Sequence, residues 1–177
     1  MYHFFDLSSF AEQMLVHEHA LVKISKDMPL DRAALIGCGV TTGLGAVFNT
    51  AKVEPGSTVA VVGCGGIGLN CIQGAAIAGA ARVIAVDMLP TKLELARQFG
   101  ATDLVDASGG DAIQQVQALS GGGVHYAFEA IGLKATAEQA FAMLRRGGTA
   151  TVIGMIPIGE TVEIPGYELL YEKKLQG

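Results

Sequence analysis

The sequence predicts an α/β fold, a doubly wound parallel sheet, on three observations. An apolar run, Thr58-Val59-Ala60-Val61-Val62, leads straight into Gly63-Cys64-Gly65-Gly66-Ile67-Gly68, and a second apolar run, Arg82 to Val86, ends on Asp87. From Thr58 onward, short apolar runs alternate with helical patterns, which is the signature of βα units. Half of the 177 residues are hydrophobic but only 6% are aromatic and none is Trp, so the core is Val, Ile, Leu and Ala, as strands covered on both faces require.

The elements follow in order. Phe10–Val16 and Ala20–Ile24 read as two β segments separated by a charged turn, with no helix between them. Asp31–Ile36 reads as a short helix opening after Pro29, and Thr41–Thr50 as a longer one. Val59–Val62 is the first strand of the alternating region, Gly66–Ala78 its helix and Arg82–Val86 the second strand. Pro90 suits the first turn of a helix over Thr91–Phe99, which Gly100 ends. Leu104-Val105 is a short third strand. Asp111–Leu119 is a helix with apolar positions at Ile113, Val116 and Leu119. Gly121-Gly122-Gly123 turns the chain into a strand over His125–Glu129. Ala135–Leu144 is a helix ended by Gly147-Gly148, Thr149–Ile153 the next strand, and Val162–Ile164 a last, short one.

Each part of the first βαβ unit has a physical role if a dinucleotide binds there. Gly63 permits the tight turn out of the strand. Gly65 lacks a Cβ, so a pyrophosphate can approach the backbone. Gly68 lets the helix pack closely on the sheet. The free N–H groups and positive end of the helix opening at Gly66 and Ile67 face the phosphates. Asp87 lies about 20 residues past the last glycine, where a carboxylate accepts hydrogen bonds from ribose hydroxyls. It would repel a 2′-phosphate, and the residues that follow, Met88, Leu89 and Pro90, offer no arginine to hold one, so NAD is expected over NADP.

Bulk properties exclude other classes. A net charge of −5 without a Lys/Arg cluster argues against nucleic-acid or membrane-surface partners. No apolar run is read as long enough to span a membrane. The start, Met1-Tyr2-His3-Phe4-Phe5-Asp6, lacks the basic and apolar regions of a secretory leader, and three cysteines without paired spacing form no disulfide framework. A cytoplasmic setting is expected.

The ordered series Phe10-Ala11-Glu12, Leu21-Val22-Lys23-Ile24, Gly37-Cys38-Gly39-Val40-Thr41-Thr42-Gly43, Gly63 to Gly68 and Phe128-Glu129-Ala130-Ile131-Gly132 resembles the zinc-dependent medium-chain alcohol dehydrogenases, including their class III, formaldehyde-dehydrogenase-like branch. The resemblance implies residues 1–36 as the remnant of a GroES-like catalytic domain and residues 37–177 as a Rossmann coenzyme domain. It implies NAD(H) as coenzyme and, in an intact enzyme, zinc with a small alcohol or aldehyde substrate. The chain resembles only the middle of such a protein, so alone it is expected to bind NAD weakly and turn nothing over. Alternatives kept open are a sorbitol- or threonine-type dehydrogenase of the same superfamily and a non-catalytic nucleotide-binding or assembly module.

By the resemblance, Cys38 matches a catalytic zinc ligand whose partners this sequence lacks; a lone Cys after a helix also reads as a small buried hydrophobe. Thr42 matches a residue packed on the nicotinamide, but would equally open a helix. Lys92 matches a lysine near the adenosine ribose, or is a solvated surface lysine. Ile131-Gly132 and Ile153-Gly154-Met155 stand at strand C-termini, where glycine gives backbone access and apolar neighbours sandwich a ring. Cys64 is expected to be inert and Cys71 to be core. His17-Glu18-His19 reads as a polar turn rather than a metal pair, and His125 as structural or solvated. Thr149–Ile153 and Val162–Ile164 are expected at the sheet's end, where an apolar edge would pair two copies into a homodimer.

Overall fold

The computed structural model of the chain describes residues 10–177. The reading of Met1–Asp6 as free of a leader lies outside the described residues. The chain divides into two compact units, Met1–Ala34 and Leu35–Gly177.

In the first unit the two expected β segments are not strands. Between Phe10 and Ile24 the only regular element is a 3₁₀ turn, Glu18–Ala20, with the His17 side chain accepting from the His19 N–H. Phe10, Leu15 and Val22 are exposed. Among the described residues of this unit no further strand lies beside these segments, and two strands alone do not hold in water.

The second unit is a six-stranded parallel sheet in the order β3-β2-β1-β4-β5-β6. Its strands are β1 (Thr58–Val62), β2 (Arg82–Asp87), β3 (Asp103–Asp106), β4 (Val124–Glu129), β5 (Leu144–Val152) and β6 (Lys174–Gln176). Strand periodicity sorts β1 between two layers. Val59 and Val61 pack with Cys71, Ile72 and Ala75 of α3 (Gly66–Ile77) and with Leu93 and Ala96 of α4 (Pro90–Gln98). Ala60 and Val62 pack on the other face with Val116 of α5 (Ala112–Ser120) and Ala140 and Phe141 of α6 (Lys134–Ala142). Each fully buried Val contributes on the order of 1.5–3 kcal/mol over leaving it exposed. The doubly wound sheet expected from the alternating pattern is therefore present. Winding reverses at β1, whose last residue, Val62, is flanked by Val86 of β2 and Glu129 of β4. That crevice is where ligands bind in open α/β sheets.

Four local expectations are corrected. The two helices read either side of Gly37-Cys38-Gly39 are joined: α1 (Leu30–Leu35), a π-helical segment Ile36–Val40, α2 (Thr41–Gly45) and a second π segment Ala46–Ala51 run on without a break. Glycine lowers helix propensity without forbidding the conformation, and the stretch stops only at Lys52, in left-handed geometry at φ 53°. The resulting 22 helical residues are long and apolar enough to cross a membrane by length and composition, contrary to the sequence reading. From Thr41 onward this stretch is a layer of the domain: Gly43 lies so close to α3 that a Cβ there would come 2.6 Å from the Asn70 Cβ.

The strand read at Thr149–Ile153 begins at Leu144, with a register irregularity between Val124 and Tyr126 of its neighbour, and lies inside the sheet. Val162–Ile164 is not a strand, and the edge beyond β5 is β6, which apolar periodicity overlooks because Lys174-Leu175-Gln176 is short and mostly polar.

Candidate functional site

At the end of β1 the chain turns through Gly63, at φ 95°, whose N–H donates to the Val86 carbonyl at 2.8 Å. A Cβ on Gly63 would strike the Ile131 side chain at 2.5 Å. Gly68, in the first turn of α3, would place a Cβ 1.8 Å from the Gly63 carbonyl oxygen, so only glycine lets the helix sit this close. Gly65 and Gly66 differ: nothing lies within 4 Å of a Cβ at either position. Gly65 caps α3 with no side-chain hydrogen bond, leaving the first N–H groups of the helix without a capping acceptor. Ile67 is half-buried against the core behind them.

Asp87 closes β2 opposite this turn. It is 9% exposed, and its carboxylate accepts from the Cys64 N–H at 2.8 Å and the Leu89 N–H at 3.0 Å. One acid thus ties the glycine turn to the loop after β2. Each oxygen keeps a second lone-pair site for a ligand hydroxyl. The Lys92 ammonium stands 4.0 Å from Oδ2 and is half exposed. A cleft of about 540 Å³ runs between these groups, bordered by Gly63, Gly65, Asp87, Leu89, Lys92 and Ile131.

Across the cleft, Glu129 closes β4. It is fully buried, and its Oε1 accepts from the N–H groups of Ile131 at 2.9 Å and Gly132 at 2.7 Å and from the Thr136 hydroxyl at 2.7 Å. Its main-chain carbonyl accepts from Ile153 at 2.8 Å and Gly154 at 3.1 Å. The loops interlock: a Cβ on Gly154 would lie 2.0 Å from the Gly132 nitrogen, and one on Gly132 2.7 Å from the Met155 backbone. Ile153 also borders a second cleft, about 400 Å³, with Thr41, Thr42 and Asn49. The residues singled out in the sequence therefore fall into two groups: Gly63, Gly65, Asp87, Lys92 and Ile131 on the first cleft, and Thr42 and Ile153 on the second. Gly154 links the two, and Met155 is almost fully exposed.

Glu129 received no role from the sequence, although a readable signal existed. It is an acid ending an otherwise buried strand, as Asp87 is.

Cys38 stands apart. It is exposed within the π segment Ile36–Val40, and among the described residues no group of three His, Cys, Asp or Glu side chains could hold a metal. One thiol is not a catalytic zinc site, which takes three protein donors. The described residues do not fit zinc. Burial, followed by the charge of Asp87, pushes the Cys64 thiol up to about 12, and burial alone does the same for Cys71, so neither supplies a thiolate near neutrality. His125 lies at the far end of the sheet, where its Nδ1 accepts the Thr58 N–H at 3.1 Å.

A family model described as zinc-binding dehydrogenase matches residues 66–177. This chain belongs to the zinc-binding dehydrogenase family. Among relatives of this zinc-binding dehydrogenase chain, an S-(hydroxymethyl)glutathione dehydrogenase of Synechocystis is 43% identical over all of the chain and 49% of its own length. The benzyl alcohol dehydrogenase of Acinetobacter calcoaceticus superposes with a TM-score of 0.94 at 35% identity, over 98% of this chain and 48% of that one. A zinc-binding dehydrogenase from Sinorhizobium meliloti, bound to NADP, matches at a TM-score of 0.72 and 36% identity over 79% of this chain and 42% of its own. The chain spans about half the length of the curated relatives it matches. Its doubly wound sheet is the coenzyme-binding domain of a zinc-binding dehydrogenase.

Proposed function

We propose that this chain binds NAD(H) in the crevice at the end of β1, with the pyrophosphate on the Gly63–Gly68 turn and the adenosine ribose on Asp87. The observation that carries the reading is the pairing of open space at Gly65 and Gly66 with a buried carboxylate already tied to the same turn through the Cys64 N–H. The start of α3 offers free N–H groups and a positive dipole end to the phosphates. Ile131 covers the near wall of the adenosine cleft, while Thr42 and Ile153 border the cleft left for the nicotinamide end.

Preference for NAD over NADP rests on Asp87, whose charge opposes a 2′-phosphate, and on Lys92, already held by that carboxylate. When bound, the nicotinamide accepts or donates hydride; the residues described here bind and orient it. Hydride exchange with a small alcohol or aldehyde is the activity proposed for the intact dehydrogenase, with Cys38 as one of its zinc ligands. Residues 1–36 are proposed as the catalytic-domain portion and residues 37–177 as the coenzyme portion. A cytoplasmic setting is supported by three free thiols. Homodimer formation is proposed at the open edge, β6, which the exposed residues Tyr167, Leu169 and Leu170 precede.

Calorimetric titration of the 177-residue chain with NADH and NADPH tests the coenzyme reading. NADH is expected to bind the tighter of the two. Asp87→Ala is expected to weaken NADH by about 1–3 kcal/mol, the scale of a lost charged hydrogen bond, and to erase the preference. Equal affinity of the unaltered chain for both coenzymes would remove the assignment of Asp87.

A further inference from the structure

The two clefts at the sheet edge are separate pockets with separate linings, yet one residue touches the support of both. Through its side chain, Glu129 holds the N–H groups of Ile131 and Gly132, and Ile131 packs directly over Gly63 on the first cleft. Through its carbonyl it holds Ile153 and Gly154, and Ile153 borders the second cleft. Gly132, Gly154 and Met155 meet backbone to backbone, so neither loop can shift without the other. The Thr136 hydroxyl, from the start of α6, completes the set of donors on Oε1.

The other carboxylate oxygen, Oε2, is buried with no hydrogen-bond partner among the described residues. A buried, half-satisfied carboxyl costs stability. Departures of this kind concentrate where a structure holds something in place for function. The loops it braces are the two that a ligand crossing the crevice would have to touch.

We propose that Glu129 is a positioning residue that sets the spacing between the two clefts, so that one extended coenzyme can occupy both. The inference rests on the coenzyme reading above and adds to it a residue that touches no part of the ligand. Asp87 and Lys92 make no hydrogen bond to Glu129; Ile131 on the first cleft does, and the Ile153 wall is coupled to the same side chain through the contact of Gly132 with Gly154.

A ligand that fills only the first cleft should therefore feel Glu129 through Ile131 alone, and a ligand that spans both should feel it through both loops. The experiment compares 5′-AMP with NADH by calorimetry on the 177-residue chain and its variants. Glu129→Asp keeps the charge but draws the acceptor back by one methylene. It is expected to weaken NADH about tenfold more than it weakens AMP. Glu129→Gln keeps an acceptor oxygen at full reach and is expected to restore the unaltered ratio.

Parallel loss of both ligands in Glu129→Asp, or an unchanged ratio, would show a merely structural residue and overturn the proposal. Should Glu129→Asp fail to fold, Gly132→Ala, whose Cβ meets the Met155 backbone with Glu129 intact, must give the same split between NADH and AMP. An equal loss of both in that variant also overturns it. Failure of the unaltered chain to bind either ligand would sink the coenzyme reading itself, a result distinct from a failed ratio.

Discussion

At the scale of single residues, glycines of one motif are glycines for different reasons. Gly68 is required by the fold, because its missing Cβ is the space taken by the Gly63 carbonyl. Gly65 is not required by the fold, because a Cβ there meets nothing. Substitution by alanine should separate these roles. Gly68→Ala is expected to lower stability by at least the 1–3 kcal/mol typical of overpacking, seen as a drop in melting temperature. Gly65→Ala is expected to leave melting within about 0.5 kcal/mol of the unaltered chain and still weaken NADH severalfold, because the methyl stands where the pyrophosphate approaches. A destabilised Gly65→Ala chain with normal affinity would reverse the assignment. The motif spacing made both positions legible, since tight turns and close approaches demand glycine wherever they occur. It did not make Glu129 legible, because its role depends on which loops surround it. The cysteines follow the same rule: Cys64 adjoins the phosphate turn in sequence, yet burial and Asp87 deny it a thiolate.

At the scale of elements, β2, β3 and β4 each end on an acid that accepts a backbone N–H of a loop at the same edge. Asp87 accepts from Cys64 and Leu89, Asp106 from Ser108, and Glu129 from Ile131 and Gly132. Hydrogen bonding to Ser108 holds the Asp106 carboxyl below its ordinary range. The opposite edge carries its own titratable contact. His125 in β4 accepts from Thr58 in β1, and burial, then the charge of Arg145, lowers its pKa. The unfolded chain therefore takes up this proton first as pH falls. The stabilisation is present above the ordinary imidazole range and is lost as pH drops through about 6.5. Urea unfolding between about pH 8 and pH 5.5 should show a falling midpoint, and His125→Gln should flatten that slope. An identical slope in the variant would assign the pH dependence to other groups. Element type was legible wherever apolar period was strong, as in β1, β2 and α3. It failed for Phe10–Ile24, where strand-like residues pair with no edge among the described residues. It failed again across Gly37-Cys38-Gly39, where glycine in a helix was read as a break.

At the scale of the whole molecule, the sheet has β3 at one open edge and β6 at the other, β6 standing in place of the two segments expected there. A three-residue strand with a lysine is a poor template for pairing on its own. The exposed side chains of Tyr167, Leu169 and Leu170 just before it supply the apolar area that an association would bury. Sedimentation equilibrium is expected to give a concentration-dependent dimer that Leu170→Asp converts to monomer. A monomer at every concentration tested would remove the homodimer.

The alternation of strand and helix, the glycine turn and the acid that ends β2 could be read without coordinates, because they depend on periodicity and spacing along the chain. Neighbours in space could not. Ile131 comes to rest on Gly63, and Ile153 hangs from the carbonyl of Glu129, because β4 pairs with β1 where winding reverses and β5 pairs with β4. Those contacts join loops far apart in the chain, and their energy depends on distances that only the packed sheet defines.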